Sequence, residues 1–263
     1  MRDVIIKQSI QLGMFVISAC ILTKNSERSL PNTLAALKSF DEIIILDTGS
    51  NDRTMSIAQA FCNTRVFQTP FTGFGSLRNY AASLAKHDWI LAIDSDEVLS
   101  EELQHEIFSL SLNPSCVYEI DFWNYYNEKR IIGCGWYPER HIRLYHRSST
   151  QFSDSSIHEG VIQHSTLKTI QLKHPIYHTP YLSTADFLAK MQLYSDLFAQ
   201  QHQGNRSSSF AKAFGHALAA LIKSYILKRG FLSGKEGVII SWYNANVAFY
   251  KYLKLAENNQ KRI

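Results

Sequence analysis

Two carboxylates separated by one residue end an apolar run in the first half of the chain: Asp94 and Asp96 follow residues 89–93. The run predicts a buried strand, and the chain turns where the strand ends, so both carboxylates can be aimed at one cation. Hard oxygen ligands suit Mg²⁺ or Mn²⁺, which keep positions open for substrate phosphates. An isolated Asp-x-Asp pair is also common in solvated turns, so the prediction of a metal site depends on the neighbouring sequence.

A second acid-tipped strand lies upstream, where the apolar run 42–46 ends at Asp47. Ligands of open parallel sheets bind at the carboxyl ends of strands. Gly49 lets the following turn close tightly, and Asn51 and Asp52 can cap the next helix. The alternative is a strand-to-helix turn with a good cap and no ligand. Against it, an unpaired carboxylate at a strand end is costly unless it meets a ligand, so Asp47 is a predicted binding residue.

Arg78 follows a glycine-containing loop, residues 71–76, and lies in the first turns of a predicted helix. Its planar guanidinium suits a phosphate or a site beside the metal. The alternative is a surface salt bridge to a neighbour on the same helix. Glu97 directly follows the acidic pair, and we interpret it as a partner of the ligands rather than a ligand itself.

When a hydroxyl group attacks a carbon atom, a side chain that accepts the hydroxyl proton raises the rate by about 10²–10⁴. Glu159 is the first candidate, with Glu139 and Asp154 behind it, and a salt bridge at a strand edge is the alternative role for Glu159. His158 is either a metal or diphosphate contact or a structural histidine. The chain has 10 histidines but no His-Glu-x-x-His or Cys/His finger spacing, so zinc is not expected.

The order of elements predicts an α/β fold with a helical C-terminal appendage. Strand and helix patterns alternate over roughly the first 110 residues, which is typical of a parallel sheet with crossover helices. Short aromatic segments from 117 to 145 favour antiparallel strands, and the chain from Thr184 onward has helical spacing. We therefore predict a domain over residues 14–182, with a nucleotide-binding half (14–112) and an acceptor half (113–182), followed by a helical region (183–263). Residues 1–13 are interpreted as a dispensable extension before Met14.

The composition is that of a globular protein, with 45% apolar and 19% charged residues and a net charge of +4. This mildly basic balance is compatible with phosphate-bearing substrates or an anionic membrane surface. No arginine-rich run or nucleic-acid module is present, so nucleic-acid binding is not expected. The four cysteines are dispersed and predict buried free thiols in a reducing compartment. We expect a cytoplasmic protein, with any membrane contact made from outside the lipid core.

The C-terminal region contains a long amphipathic helix. Packing on the catalytic domain is the default interpretation of its apolar face. Lys228, Arg229 and the aromatic residues that follow also fit docking at a membrane interface. The face consists of Phe210, Phe214, Ala217, Leu218, Leu221 and Tyr225.

The order and spacing of three segments resemble those of family 2 glycosyltransferases with the GT-A fold, namely KNSER (24–28), DTGSNDRT (47–54) and DSDE (94–97). Four more segments are similar to a bacterial subgroup that includes lipopolysaccharide core β-1,4-glucosyltransferases: FGSLRN (74–79), YPER (137–140), HE (158–159) and RGFLSG (229–234). The resemblance extends from about Phe15 to the C-terminus. Glu139 stands where the family often has aspartate, and Ser95 where alanine is frequent.

The resemblance implies roles for individual residues. Asp47 would contact the uracil or ribose region and Arg78 the nucleotide, while Asp94 would face the nucleotide and Asp96 would be the more direct metal ligand. Asp94 and Asp96 together form the implied site for Mg²⁺ or Mn²⁺. The complete implied set for the nucleotide sugar is Asn25, Glu27, Asp47, Gly49, Ser50, Arg78 and Asp94.

The sequence thus predicts an inverting, metal-dependent transfer of a hexose, with glucose as first choice, from a UDP-sugar to a glycolipid. Lipopolysaccharide inner core is the first-choice acceptor. In this prediction Asp96 acts through the cation and Glu159 is the base. A sugar nucleotidyltransferase is the first alternative, since it would share the acidic strand ends but release pyrophosphate. A non-catalytic nucleotide-sugar-binding or scaffold protein on the same fold is the second.

Overall fold

The computed structural model describes residues 17–154 and 159–260. Near the C-terminus the chain makes a π-helical turn, Lys223–Leu227, and a 3₁₀ turn, Gly230–Ser233. The strands and helices are, in chain order, β1 Ile17–Thr23, α1 Leu30–Ala36, β2 Glu42–Asp47, α2 Thr54–Gln59, β3 Thr64–Gln68, α3 Phe74–Leu84, β4 Trp89–Asp94, β5 Glu97–Leu99, α4 Glu101–Ser109, β6 Cys116–Tyr126, β7 Lys129–Arg130, β8 Arg140–His146, β9 Lys168–Gln171, β10 Ile176–His178, α5 Thr184–His202, α6 Phe210–Ile222 and α7 Gly234–Gln260.

The chain forms two compact units. The first contains the described residues up to 120 together with 142–174, and the second contains 121–141 and the residues from 175 onward. Strands β6 and β8 each pass from one unit into the other. The domain boundaries inferred from the sequence, at 112 and 182, remain predictions.

The first unit is built on strands in the order β3-β2-β1-β4-β8. Strands β1 to β4 are mutually parallel, and β8 is antiparallel to β4. Ile43, Ile44 and Ile45 of β2 are all fully buried, although they point to alternate faces of the sheet. Both faces are therefore covered, which explains the unbroken apolar run in the sequence.

The sheet reverses its strand order at β1. The chain runs outward from β1 to β2 and β3, and α3 then returns it to β4 on the opposite side of β1. Such a switch point opens a crevice at the carboxyl ends of the strands. Thr23 at the end of β1 pairs in register with Asp47, and Leu22 pairs with Asp94. The two acid-tipped strands thus flank β1 and end at the same level.

The strands after 116 are mixed rather than purely antiparallel. β7 runs antiparallel to β6, whereas β9 and β10 pair with β6 in parallel. Parallel pairs need long connections, and β9 and β10 follow β6 only after some 40 residues. The antiparallel strands expected between 117 and 145 are found where β7 pairs with β6 and where β8 pairs with β4, whereas β9 and β10 lie beyond that segment. The predicted α/β class, a mixed sheet with C-terminal helices, is confirmed.

The second unit carries the helices that the sequence predicted from Thr184 onward. Ser183 caps α5 by accepting a hydrogen bond from the Asp186 amide, and Ser209 caps α6 in the same way. Both helices pack on α7. Within the described part of the chain, no helix is long and apolar enough to cross a membrane.

The apolar face of α6 does not pack inward. Phe210, Phe214 and Leu218 are 66%, 59% and 50% exposed. The buried side of α6 is instead made of small residues such as Ala213, and the His216 ring stacks on Tyr252 with centroids 3.8 Å apart. Packing was therefore the wrong interpretation for these three side chains.

The four cysteines are free, as predicted. Cys20, Cys116 and Cys134 are buried, but Cys62 is exposed at the end of α2, which corrects the expectation that all four are buried.

Candidate active site

Three loops meet at the carboxyl edge of the first unit's sheet, and Ser26 joins them. The Ser26 amide donates to Thr54 Oγ1 at 2.7 Å, and its hydroxyl lies 2.8 Å from Ser95 Oγ. Thr33 Oγ1 also donates to the Ser95 carbonyl at 3.0 Å. The structure thus brings together the three segments on which the family resemblance rests.

Asn25 and Glu27 fasten the loop after β1 to the loop after β2. The Asn25 amide donates to Ser50 Oγ at 2.8 Å, and Asn25 Oδ1 accepts from the Asn51 amide at 2.9 Å. Glu27 Oε2 accepts from the Arg53 amide at 3.1 Å. Asn25 adopts a left-handed φ of 51°, a conformation that asparagine tolerates better than most residues. The structure shows both side chains positioning loops, and their contact with a nucleotide remains a prediction.

Asp47 is fully buried, and donors from its own turn satisfy it. Oδ2 accepts from the amides of Gly49 and Ser50 at 3.0 and 2.9 Å, and Oδ1 accepts from the Thr23 and Ser50 hydroxyls. Burial raises the pKa of this carboxyl, but the hydrogen bonds from Ser50, Gly49 and Thr23 outweigh burial and lower it below its usual value. The argument that Asp47 would be unpaired without a ligand was therefore wrong. Its role as a nucleotide contact rests on the resemblance alone.

Gly49 permits this turn because its φ is +98°, a value at which a side chain would be strained.

Asp94 lies between two arginines. Oδ1 accepts from Arg78 Nη2 at 2.7 Å, and Oδ2 accepts from Arg143 Nη2 at 3.1 Å. Burial raises the pKa of Asp94, but the positive charges of Arg78 and Arg143 outweigh it and hold this pKa far below its usual value. Both carboxylate oxygens are thus committed to guanidinium groups, which disfavours Asp94 as a metal ligand in this arrangement.

Arg143 is a site residue that the sequence analysis did not select. It is buried, and its Nη2 also donates to the carboxylate of the buried Glu97. Glu97 in turn accepts from the Asp94 amide at 3.0 Å, and its role as a partner of metal ligands remains a prediction. The available signal was a charged residue between the apolar Ile142 and Leu144 in a predicted strand.

Arg78 is buried and is not the surface salt bridge considered as an alternative. Among the described residues, neither its Nε nor its Nη1 has a hydrogen-bond partner. Glu159 Oε1 lies 3.9 Å from Nε, too far for a hydrogen bond. A buried N–H without a partner is costly, so these groups are suitable donors for an anionic ligand.

Glu159 is held beside Arg78 by a loop that packs on α3. Asn79 on α3 bonds the loop twice, donating to the Phe152 carbonyl at 2.9 Å and accepting from the Phe152 amide at 2.8 Å. The Ser153 amide donates to the Gly160 carbonyl at 2.9 Å, so the residue after Glu159 is tied to the segment that Asn79 anchors. Helix α3 therefore carries both the predicted nucleotide contact, Arg78, and Asn79, which anchors Phe152 in the segment before the predicted base.

Asp96 lies in the turn between β4 and β5 and is partly exposed. Among the described residues, no group of three His, Cys, Asp or Glu side chains is arranged to hold a metal ion. Mg²⁺ commonly takes one or two carboxylates and completes its shell with waters and substrate phosphates. A single carboxylate at the open edge of the sheet fits that mode, and it does not fit a closed structural site.

The other two candidate bases, Glu139 and Asp154, lie in different environments. Glu139 belongs to the second unit, where its oxygens bond to Asn124 Nδ2 and His141 Nε2. Burial raises the pKa of Glu139, while the bonds from His141 and Asn124 lower it further than burial raises it. Asp154 is exposed, and His158 lies outside the described residues.

Comparison with protein families decides the class of this arrangement. Residues 18–133 match the model of the family "Glycosyl transferase family 2". This segment contains the Ser26 junction, Asp47, Arg78 and the Asp94–Asp96 pair. Residues 18–133 are therefore similar to family 2 glycosyltransferases. The recognition made from the sequence is thus confirmed at the level of the family.

Relatives of similar length support the same class. An "Uncharacterized glycosyltransferase" of Rickettsia bellii is 29% identical over 92% of this chain and 86% of its own. The "Lipopolysaccharide core biosynthesis glycosyltransferase LpsC" of Rhizobium meliloti is 25% identical over 92% of this chain and 93% of its own. Among solved structures, S. aureus TarS 1-349 in complex with UDP-GlcNAc aligns with 93% of this chain and 89% of its own, at 15% identity and a TM-score of 0.46.

Proposed function

We propose that this protein is an inverting, metal-dependent hexosyltransferase that transfers a sugar, with glucose as first choice, from a UDP-sugar to a glycolipid. The observation that carries the proposal is the buried Arg78 guanidinium, which has N–H groups without partners between Asp94 and Glu159. A donor for a phosphate, a carboxylate network and a candidate base thus meet at the switch point of the sheet.

The donor nucleotide would bind along the three joined loops. Arg78 offers its N–H groups to the diphosphate or the adjoining ribose, and the Asp94–Arg143–Glu97 network fixes the orientation of Arg78. Asp47 shapes the turn that presents Gly49 and Ser50, while Asn25 and Glu27 hold the facing loop. These assignments agree with the family resemblance.

Asp96 would hold the divalent cation together with the donor's diphosphate. When bound, Mg²⁺ or Mn²⁺ supplies positive charge that stabilises the leaving nucleoside diphosphate. We assign this role to Asp96 rather than Asp94, because both oxygens of Asp94 are engaged by arginines.

Glu159 would accept the proton of the acceptor hydroxyl. As that oxygen forms its bond to the anomeric carbon, the bond from this carbon to the diphosphate oxygen breaks, and the electron pair leaves with the UDP. Attack from the face opposite the leaving group inverts the anomeric configuration. No covalent enzyme intermediate is needed, and positioning of the two substrates contributes much of the rate.

The acceptor is proposed to be lipopolysaccharide inner core at the cytoplasmic face of a bacterial inner membrane. The resemblance to LpsC, whose name places it in lipopolysaccharide core biosynthesis, supports this choice. The second unit offers a cavity of about 660 Å³ that could hold a saccharide. Aromatic rings with a few polar groups suit the faces and hydroxyls of sugars. Its lining is Tyr125, Asn127, Glu128, Tyr177, Thr179, Tyr181 and Leu182.

The test is a transfer assay with UDP-glucose, Mn²⁺ and truncated lipopolysaccharide, followed by mass spectrometry of the acceptor and phosphate analysis of the nucleotide product. A gain of one hexose with release of UDP supports the proposal. Release of pyrophosphate from a nucleoside triphosphate would instead establish the nucleotidyltransferase. Binding of UDP without transfer to any acceptor tested would favour the scaffold protein.

A further inference from the structure

A continuous apolar surface on the second unit faces solvent. Five side chains spaced four residues apart, from α6 into the π-helical turn, form its axis. Their exposed fractions are 66% for Phe210, 59% for Phe214, 50% for Leu218, 43% for Ile222 and 56% for Ile226. Side chains four residues apart are neighbours on the surface of a helix, so these five follow one another in a row. We call this row the α6 ridge.

Large apolar residues continue immediately beyond the ridge. Leu227 is 71% exposed, and Phe231 and Leu232 in the 3₁₀ turn are 51% and 52% exposed. Trp242 on α7 is 62% exposed. Large apolar residues scattered singly over a surface are ordinary, but a row of this length indicates an interaction surface.

The charge around the ridge has one sign. Between Asp196 and Glu236 the chain carries no Asp or Glu, whereas it carries six basic residues. Lys223, Lys228 and Arg229 at the end of the ridge are exposed. Lys212 and Lys223 are eleven residues apart, about three helical turns, and so flank the ridge along one line.

We infer that the α6 ridge docks in the plane of an anionic lipid bilayer. Apolar side chains on one face of a helix with lysines beside them enter the interfacial layer, while the lysines meet anionic headgroups. Charge argues against a second copy of this chain as the occupant, because self-association would bring two such basic, acid-free surfaces together. Docking of this kind does not depend on sugar transfer.

Vesicle flotation of the full chain tests this inference without any sugar nucleotide. Vesicles of phosphatidylcholine alone are compared with vesicles that contain about 30% phosphatidylglycerol, at low and high salt. We expect binding to the anionic vesicles that weakens with salt. Each basic residue near an anionic surface contributes roughly a fivefold gain in partition, so Lys223→Glu with Lys228→Glu should weaken binding more than tenfold.

Matched variants distinguish binding through the α6 ridge from nonspecific binding by other exposed apolar or basic side chains. Phe214→Ser with Leu218→Ser should abolish flotation. Leu188→Ser with Leu193→Ser on α5, where the leucines are 57% and 55% exposed, should leave it unchanged. Lys38→Glu with Lys168→Glu makes the same charge change on exposed residues of the first unit and should also retain binding.

Folding is checked by circular dichroism and association by light scattering. These ridge residues are exposed, so their replacement should leave the unfolding midpoint close to that of the parent chain. A folded parent chain that ignores both kinds of vesicle would overturn the inference. So would a dimer that the ridge variant dissociates without any change in lipid binding, since the ridge would then be a contact between copies.

Discussion

Arg78 and Asp94, which lie 16 residues apart on α3 and β4, form a 2.7 Å salt bridge at the carboxyl edge of the sheet. The bridge joins the helix that carries Asn79, the anchor of the Glu159 loop, to the strand that leads to Asp96. The groups proposed for the nucleotide, the cation and the base are thus connected through one ion pair. The predictions below test this connection.

Removing the charge of Asp96 should abolish transfer without unfolding the protein. Asp96→Asn keeps the size of the side chain but removes the charge proposed to hold the cation. We expect kcat to fall by about 10²-fold or more, as when a major stabiliser of developing charge is lost. Mn²⁺ titration of UDP binding measures the cause directly. Asp41→Asn, which removes an exposed carboxylate beside Lys86, is the control and should retain activity.

Loss of Glu159 should affect chemistry rather than donor binding. Glu159→Gln removes the proposed proton acceptor, so kcat should fall by roughly 10²–10⁴ while the Kd for UDP changes little. Asp154→Asn, at the second-choice base in the same loop, should behave like the parent chain. If Asp154→Asn lost activity and Glu159→Gln retained it, Asp154 would be the base instead.

Arg143 should matter for stability as well as for the site. Arg143→Met leaves the buried Glu97 without its guanidinium partner, and breaking a buried ion pair costs about 3–5 kcal/mol in the free energy of unfolding. Urea unfolding measures this difference. Arg140→Met on the same strand removes a partly exposed salt bridge to Asp121 and should cost less than about 1 kcal/mol. Equal costs for the two variants would contradict the assigned network.

Stability should fall on the acid side of neutrality. The folded-state pKa of Asp47 is lowered, so its contribution is present above the unfolded value of about 3.9 and is lost as pH falls towards the folded value. The folded-state pKa of Asp94 is also lowered, so its contribution to stability is likewise lost as pH falls. Urea midpoints of the parent chain should therefore decline below about pH 5. Asp47→Asn should be less stable near pH 7 and show a shallower decline, and an identical pH dependence would count against the hydrogen-bonded carboxylate.

The aromatic cavity of the second unit should affect the acceptor alone. Tyr177→Ala removes a lining ring that lies against Trp123 and Tyr125. We expect KM for the acceptor to rise about fivefold, in keeping with roughly 1 kcal/mol for lost aromatic contact, with KM for the donor unchanged. Tyr250→Ala, at an exposed ring on α7, is the control. An equal rise in the donor KM would show a structural effect instead.

Much of the site could be predicted because the chemistry lies at the ends of apolar runs. The runs before Asp47 and Asp94 predicted two buried strands, and the parallel sheet brings their ends to one level. Arg78 could be selected because a cation after a glycine loop is a common way to present charge to a phosphate. Its pairing with Asp94, however, depends on how α3 packs against the sheet, which local spacing does not specify.

Three features could not be predicted because they depend on tertiary contacts. Arg143 enters the network from β8, about 50 residues beyond Asp94, and no local pattern joins the two. Asp47 is satisfied by two amides and one hydroxyl of its own turn and by the Thr23 hydroxyl of the neighbouring strand, and the sequence indicates this geometry only through Gly49. The outward direction of Phe214 arises because α6 packs through its alanines, so an amphipathic pattern alone did not identify the buried face.

The most direct test of the account is a thermal-shift experiment with UDP, with and without Mn²⁺, on the parent chain and Asp96→Asn. A ligand that binds only the folded state adds roughly 2.7 kcal/mol of stability at a hundredfold excess over its Kd. We predict a clear rise in Tm with UDP and Mn²⁺ together, a much smaller rise with UDP alone, and loss of the Mn²⁺-dependent part in Asp96→Asn. A Tm that no uridine nucleotide changes, with or without the metal, would contradict the proposed donor site.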